Sequence, residues 1–253
     1  MADPQVLSGS SLNTFLRCAR QWEFAYVQRV KSPPTLKLAL GSAAHTAVEK
    51  DLTHKLQTEE DLSKDEIQTI FRDEFVKEAQ DAVEGKGETK GSMTDSGVQA
   101  VGFWRDEVAP RTKPALVEQP VKFKINGTDI TGTIDIVHDD DRVGDWKFTG
   151  RSPQSGKSYV LNMVGYALGF RHLTGRMEKS ILLDHIVRTK TPKHVPIESE
   201  GPVPDRSIQA YARIVGDVAR QIDAGLFPPT GLQSNACSWC GYKDICSAYQ
   251  ASR

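Results

Sequence analysis

The sequence predicts an α/β fold with helices packed on a mixed sheet, and three observations carry that prediction. Apolar residues recur at helical spacing through roughly the first 110 residues. Between 116 and 148 the period changes to an alternation of β-branched residues. From 157 to 225 helical and extended patterns alternate again, the order expected when helices cover a sheet. The 253 residues are 38% hydrophobic and 26% charged, an ordinary globular composition with ample material for a core. That excludes intrinsic disorder for most of the chain. The longest uncharged, mostly apolar run, 158–170, is far short of the ~20 residues a membrane span needs. The start MADPQVLSGSSLN lacks a basic region and an apolar segment, so no signal peptide is expected and the cytoplasm is the expected compartment.

In chain order, residues 11–30 read as a helix, with Leu12, Phe15, Leu16, Ala19 and Trp22 on one face. Further helices are expected over 39–57 and over 62–82, where Ile67, Ile70, Phe71 and Phe75 share a face. The Gly-, Ser- and Thr-rich stretch 84–97 reads as a surface loop, followed by a short helix at 96–109. Strands are expected at 116–125, 128–138 and 142–148, a helix at 157–174 and a strand at 179–188. The prolines of 191–204 predict a loop, and 205–225 a long helix before a cysteine-bearing tail.

A net charge of −1 conceals segregation. Residues 48–107 hold 16 acidic and 8 basic side chains, whereas 141–194 hold 10 basic and 4 acidic, and 17–37 hold five basic and one acidic. A neutral protein with charge so divided can carry a local anion-binding face.

The most informative stretch is TGTIDIVHDDDRVGDWKFTG, 131–150. A hairpin turning at Asp139–Asp141 places Asp135 and Asp145 opposite each other, with Cβ atoms about 5 Å apart. Two facing carboxylates repel and call for a compensating cation. Lys147, two residues beyond Asp145, projects from the same face while Trp146 points to the other. Carboxylates with a lysine alongside suit metal-assisted hydrolysis. Asp139–Asp141 read as solvated turn residues, and Glu118 as a further carboxylate that could approach the site.

The chain has four cysteines, Cys18, Cys237, Cys240 and Cys246, the last three spaced C-x2-C-x5-C. Four thiolates suit an iron–sulfur cluster or structural zinc, and spacing alone leaves both open. Either would join the N-terminal helix to the C-terminal tail.

Taken in order, Leu12-x5-Cys18-x3-Trp22, Gly41-x3-His45, Gly132-Thr-Ile-Asp135, Asp145-Trp-Lys147, Asn162-x3-Tyr166 and the clustered cysteines resemble the RecB-type branch of the PD-(D/E)XK nuclease superfamily, most closely its Cas4-type iron–sulfur exonucleases. The resemblance runs from residue 8 to 246 and implies a single nuclease domain over 1–253 with a restriction-endonuclease-like core. Within it, 1–110 would be the helical N-terminal part, 115–190 the core sheet and helix, and 205–253 the last helix and cysteine tail. It implies that His45, Asp135 and Asp145 hold Mg²⁺ or Mn²⁺, that Lys147 is the catalytic lysine, and that Cys18, Cys237, Cys240 and Cys246 hold a [4Fe–4S] cluster. Asn162 stands where the family's Q-x3-Y motif has glutamine, and Tyr166 is its tyrosine, contacting DNA or supporting the site. Arg151, Lys157 and Arg171 would track phosphates beside it, and Tyr159 and Tyr166 are candidates for stacking on bases. The remaining histidines, His54, His138, His172, His185 and His194, read as structural or surface groups.

The implied activity is metal-dependent exonucleolytic hydrolysis of DNA, in recombination, repair or phage DNA metabolism. Implied partners are DNA and either further copies of the chain or proteins of recombination or of CRISPR adaptation. Two alternatives are an end-trimming factor in CRISPR spacer acquisition and a zinc-stabilised DNA-binding module without catalysis. No G-x4-G-K-[ST] helicase motif is present.

Overall fold

The computed structural model describes residues 6–85, 87–153, 159–234 and 236–252. A six-stranded mixed sheet lies at its centre. Strand β3 (Thr128–His138) pairs antiparallel with β2 (Pro114–Ile125) along almost its whole length. Its opposite edge is shared. The short β1 (Val6–Leu7) pairs with it parallel at Asp129 and Ile130, and β4 (Arg142–Thr149) pairs with it antiparallel at Ile136 and Val137 only. Beyond β4 come β5 (Ser180–Val187), parallel to it, and β6 (Lys193–Glu198), antiparallel to β5. Strands β3 and β4 therefore diverge as a fork, open just beyond Ile136 and Gly144.

Each face of the sheet carries its own core. Helices α3 (Leu36–Thr58), α4 (Lys64–Glu78) and α5 (Lys90–Glu107) pack around Ile136, Trp146, Phe148 and Ile186. Helices α1 (Gly9–Arg17), α6 (Val160–Thr174) and α7 (Asp205–Asp223) cover Ile134, Val137, Val143 and Ile181. The alternation of β4 explains the division: Val143 and Trp146 enter different cores, and Asp145 and Lys147 share the Val143 side.

Local chemistry sets the helix starts. Ser8 and Ser11, Ser63 and Glu66, and Thr89 and Ser92 each form reciprocal caps, opening α1, α4 and α5. Buried Asp51 on α3 accepts the Leu62 N–H at 2.6 Å and so anchors the turn into α4. On the other side, Arg171 makes a two-pronged pair with buried Glu178, at 2.7 and 2.8 Å, tying α6 to the entry of β5.

Three expectations are corrected. The helix expected over 11–30 breaks at Cys18, whose backbone is extended (φ −162°, ψ 107°); α2 (Ala19–Trp22) and a π-turn at Glu23–Val27 follow. The loop expected over 84–97 is helical from Lys90, because Thr89 caps it. Its Gly97 lies under the Phe71 ring, where a Cβ would come within 1.9 Å, so this glycine makes room for packing. The loop expected over 191–204 contains β6. Pro196 is tolerated there because β6 is the outermost strand of the sheet and needs no second ladder.

Candidate active site

The predicted register of the hairpin holds. Ile136 faces Gly144 and Val137 faces Val143, so Asp135 and Asp145 are the next pair, at the mouth of the fork. On the other flank, Val117 faces Ile136 and Gln119 faces Ile134, which brings Glu118 level with Asp135. One carboxylate from each of three adjacent strands thus lies in a single row across the sheet. Glu118 sits at φ +45°, a left-handed conformation that a side-chain-bearing residue seldom adopts within a strand.

His45 reaches this row from α3, its Nδ1 3.3 Å from Asp135 Oδ2. Ligand atoms of His45, Glu118 and Asp135 all lie within 4.8 Å of one another, a spacing that suits a single metal ion. The sequence-based set named His45, Asp135 and Asp145. Here Glu118 joins the first two, while Asp145 is held alongside. Lys147 Nζ is 2.7 Å from Asp145 Oδ1 and 2.6 Å from Oδ2, and the Tyr166 hydroxyl donates to Oδ1 at 3.2 Å. The Trp146 N–H donates to Asp135 Oδ2 at 3.1 Å and fixes that carboxylate. Sequence reasoning named Glu118 only as a carboxylate that could approach the site, because nothing in its neighbourhood reads as a motif.

The electrostatics follow from burial and crowding. Burial, then the Asp135 charge, push Asp145 up to about 6, with Lys147 pulling the other way. Burial resists ionisation of Asp135, but the His45 hydrogen bond and charge, Lys147 and the Trp146 N–H outweigh it and hold its carboxyl below the usual range. Burial and the charges of Asp135 and Glu49 push Glu118 up to about 7. Burial works against the Lys147 ammonium, and Asp145 and Asp135 more than compensate, keeping it protonated. This is an excess of negative charge gathered around one point, the arrangement that a divalent cation neutralises.

The residues at the Q-x3-Y position form a chain of hydrogen bonds. Asn13 donates to Asn162 Oδ1. The Asn162 amide donates to Tyr166, and Tyr166 donates to Asp145. The shorter asparagine still reaches the tyrosine. Tyr159, at the start of α6, lies 5.6 Å ring to ring from buried His185 and 5.7 Å from Lys147 Nζ.

Other expected positions resolve differently. Arg151 is exposed just past β4, and Lys157 lies outside the described residues. Arg171 is paired with Glu178 rather than open to a phosphate. Asp140 is bound by Arg142 and Lys179, and Asp141 by Arg176, so these turn acids are ion-paired rather than merely solvated. The same pairs occupy Arg142, Arg176 and Lys179 of the basic 141–194 stretch. At the C-terminal end of α1, Cys18, Cys237, Cys240 and Cys246 line one small cavity with Arg20, Phe24 and Tyr242. Burial, then the neighbouring cysteine sulfurs, push the Cys237 thiol up.

Comparison with known proteins agrees with this geometry. The chain is 23% identical over 301 residues to the Gene 69 protein of Mycobacterium phage L5, covering 99% of this chain and 100% of that one. Its fold matches the crystal structure of a candidate exonuclease from Eubacterium rectale with a TM-score of 0.65 at 13% identity, over 99% of this chain and 89% of the other. Residues 6–247 match the family model of the PD-(D/E)XK nuclease superfamily. That match spans nearly the whole chain, and the chain belongs to the PD-(D/E)XK nuclease superfamily.

Proposed function

We propose that this protein is a divalent-metal-dependent exonuclease that hydrolyses DNA phosphodiester bonds. The observation that carries the reading is the convergence of His45, Glu118 and Asp135 on one point, with Lys147 held beside it by Asp145. His45, Glu118 and Asp135 would hold Mg²⁺ or Mn²⁺, and Asp145 is placed to join them. A divalent ion there supplies Lewis acidity toward a phosphoryl oxygen and makes a bound water acidic. The protein's part is orientation. The Trp146 N–H fixes Asp135, Tyr166 fixes Asp145, and Asp145 aims the Lys147 ammonium toward the space where an attacking water and a scissile phosphate would meet. That ammonium offsets the charge that builds on the phosphoryl oxygens.

Four cysteines around one cavity fit a [4Fe–4S] cluster joining α1 to the C-terminal tail. Four thiolates on one zinc at ~2.3 Å stand ~3.8 Å apart. Iron and sulfide analysis of anaerobically purified protein, beside zinc analysis, decides between the two groups.

The test is hydrolysis of end-labelled single- and double-stranded DNA with Mn²⁺. Asp135→Ala and Lys147→Ala should each lower the rate by at least about 100-fold while leaving the circular dichroism spectrum unchanged. Undiminished cleavage by either variant overturns the assignment.

A further inference from the structure

A second cavity, about 120 Å³, lies on the α6 side of the sheet and shares Tyr166 with the row of acids. Tyr166 and Asn162 belong to both places: Tyr166 donates to Asp145 and also lines this cavity. The opposite wall is the first turn of α1, Ser8 to Ser10. There the Ser8 hydroxyl serves the Ser11 N–H, so the amide N–H groups of Gly9 and Ser10 have no acceptor within the helix and point outward with the positive end of its dipole. The third wall is residues 131–133 of β3. This is the stretch between the part paired with β1 and the part paired with β4, so among the described residues its edge has no strand partner.

Tyr211 of α7 closes the cavity. Its ring is 1% exposed, and its hydroxyl has no hydrogen-bond partner among the described residues. The hydroxyl lies against Gly165, where a Cβ would stand 3.3 Å from it, and Gly9 allows α1 to approach Asn162 equally closely. A buried phenol without a partner costs stability, and an acceptor brought within its reach would recover that cost. The cavity offers amide and hydroxyl donors at a helix N-terminus, and none of the residues lining it is charged. That donor set recognises a phosphate oxyanion.

We propose that this cavity is a phosphate subsite of the nuclease, holding a nucleic-acid phosphate next to the one being cleaved. The inference rests on the nuclease reading and adds a position for the strand beyond the metal site. Two sources share this chemistry: an internucleotide phosphodiester and a terminal phosphomonoester.

The experiment compares wild type, Tyr211→Phe and Ser10→Ala on short single-stranded oligonucleotides carrying either a 5′-phosphate or a 5′-hydroxyl, with Mn²⁺. Each variant removes one donor and is expected to raise KM about fivefold, with the loss in KM rather than kcat. Tyr211→Phe is expected not to lower the melting temperature, because the hydroxyl it removes has no protein partner. A defect confined to 5′-phosphorylated substrate assigns the terminal monoester. A defect equal on both substrates assigns the internal diester. Unchanged KM in both variants, or a melting temperature that falls without any change in KM, overturns the subsite while the nuclease reading stands. Wild-type protein that neither binds nor cleaves either oligonucleotide overturns both.

Discussion

Glu118 holds a left-handed backbone in the middle of a strand, a conformation that costs of order 1–3 kcal/mol and persists only where the surroundings impose it. The gain is positional: the side chain comes level with Asp135 and within ligand distance of His45. Replacing it with Gln removes a charged oxygen but keeps the shape. We expect Glu118→Gln to raise the Mn²⁺ concentration for half-maximal activity by roughly 10- to 100-fold, read from metal titrations of DNA cleavage. Its melting temperature without metal should not fall, because the repulsion from Asp135 and Glu49 is relieved. Unaltered metal dependence would remove Glu118 from the ligand set. Asp135, Asp145 and Lys147 were legible in the sequence because their spacing about one turn sets their register. Glu118 was legible only as a carboxylate that could approach the site, since its exact place depends on a cross-strand alignment and on a φ value that no local pattern encodes.

At the scale of elements, Asp51 joins α3 to the start of α4. Burial, opposed by the Leu62 N–H but reinforced by the nearby Asp61 charge, pushes Asp51 up to about 6. An unfolded chain releases that proton near pH 4. Between about pH 4 and pH 6 the folded protein therefore holds a proton that the unfolded chain has lost, and stability falls as pH rises through this window, by up to ~3 kcal/mol from this group. Asp51→Asn, which carries no charge at any pH, should flatten that segment of the curve. Urea midpoints of the two proteins from pH 4 to 7 give the comparison, and parallel curves would refute it. Most elements follow their sequence periodicity, and β3 was placed at its observed limits. The misplacements share one cause: Gly97 and Pro196 signal a break locally, Cys18 signals none, and only tertiary context decides. Gly97 is required by the Phe71 ring, Pro196 is permitted on an outermost strand, and Cys18 does break the helix because the chain turns there toward the tail cysteines.

Across the whole molecule, the cysteine cavity joins the two ends of the chain to each other. Tyr242 adds a second tie, its hydroxyl donating to the Val30 carbonyl at 3.1 Å. If a cluster is held there, Cys18→Ser or Cys240→Ala should yield colourless protein after anaerobic purification, with iron content near zero and a melting temperature lowered by several degrees. A variant that stays brown with full iron content would exclude that cysteine as a ligand. The approach of Cys18 to the tail was legible from the cysteine count, because four thiolates make one complete ligand set and three of them lie in the tail.

The far side of β2 bears on how copies of this protein can meet. It is the long flank of the sheet opposite β6, and it pairs only with β3. Pro120 interrupts its run of donors, the irregular register at Pro114 and Leu116 distorts its start, and Lys122 and Lys124 place charge along its end. A second molecule trying to extend the sheet here would find a broken template. Growth of the sheet from one molecule into the next is thus disfavoured along its longest open border, which leaves the shorter β6 edge and the helices as the surfaces on which copies can meet.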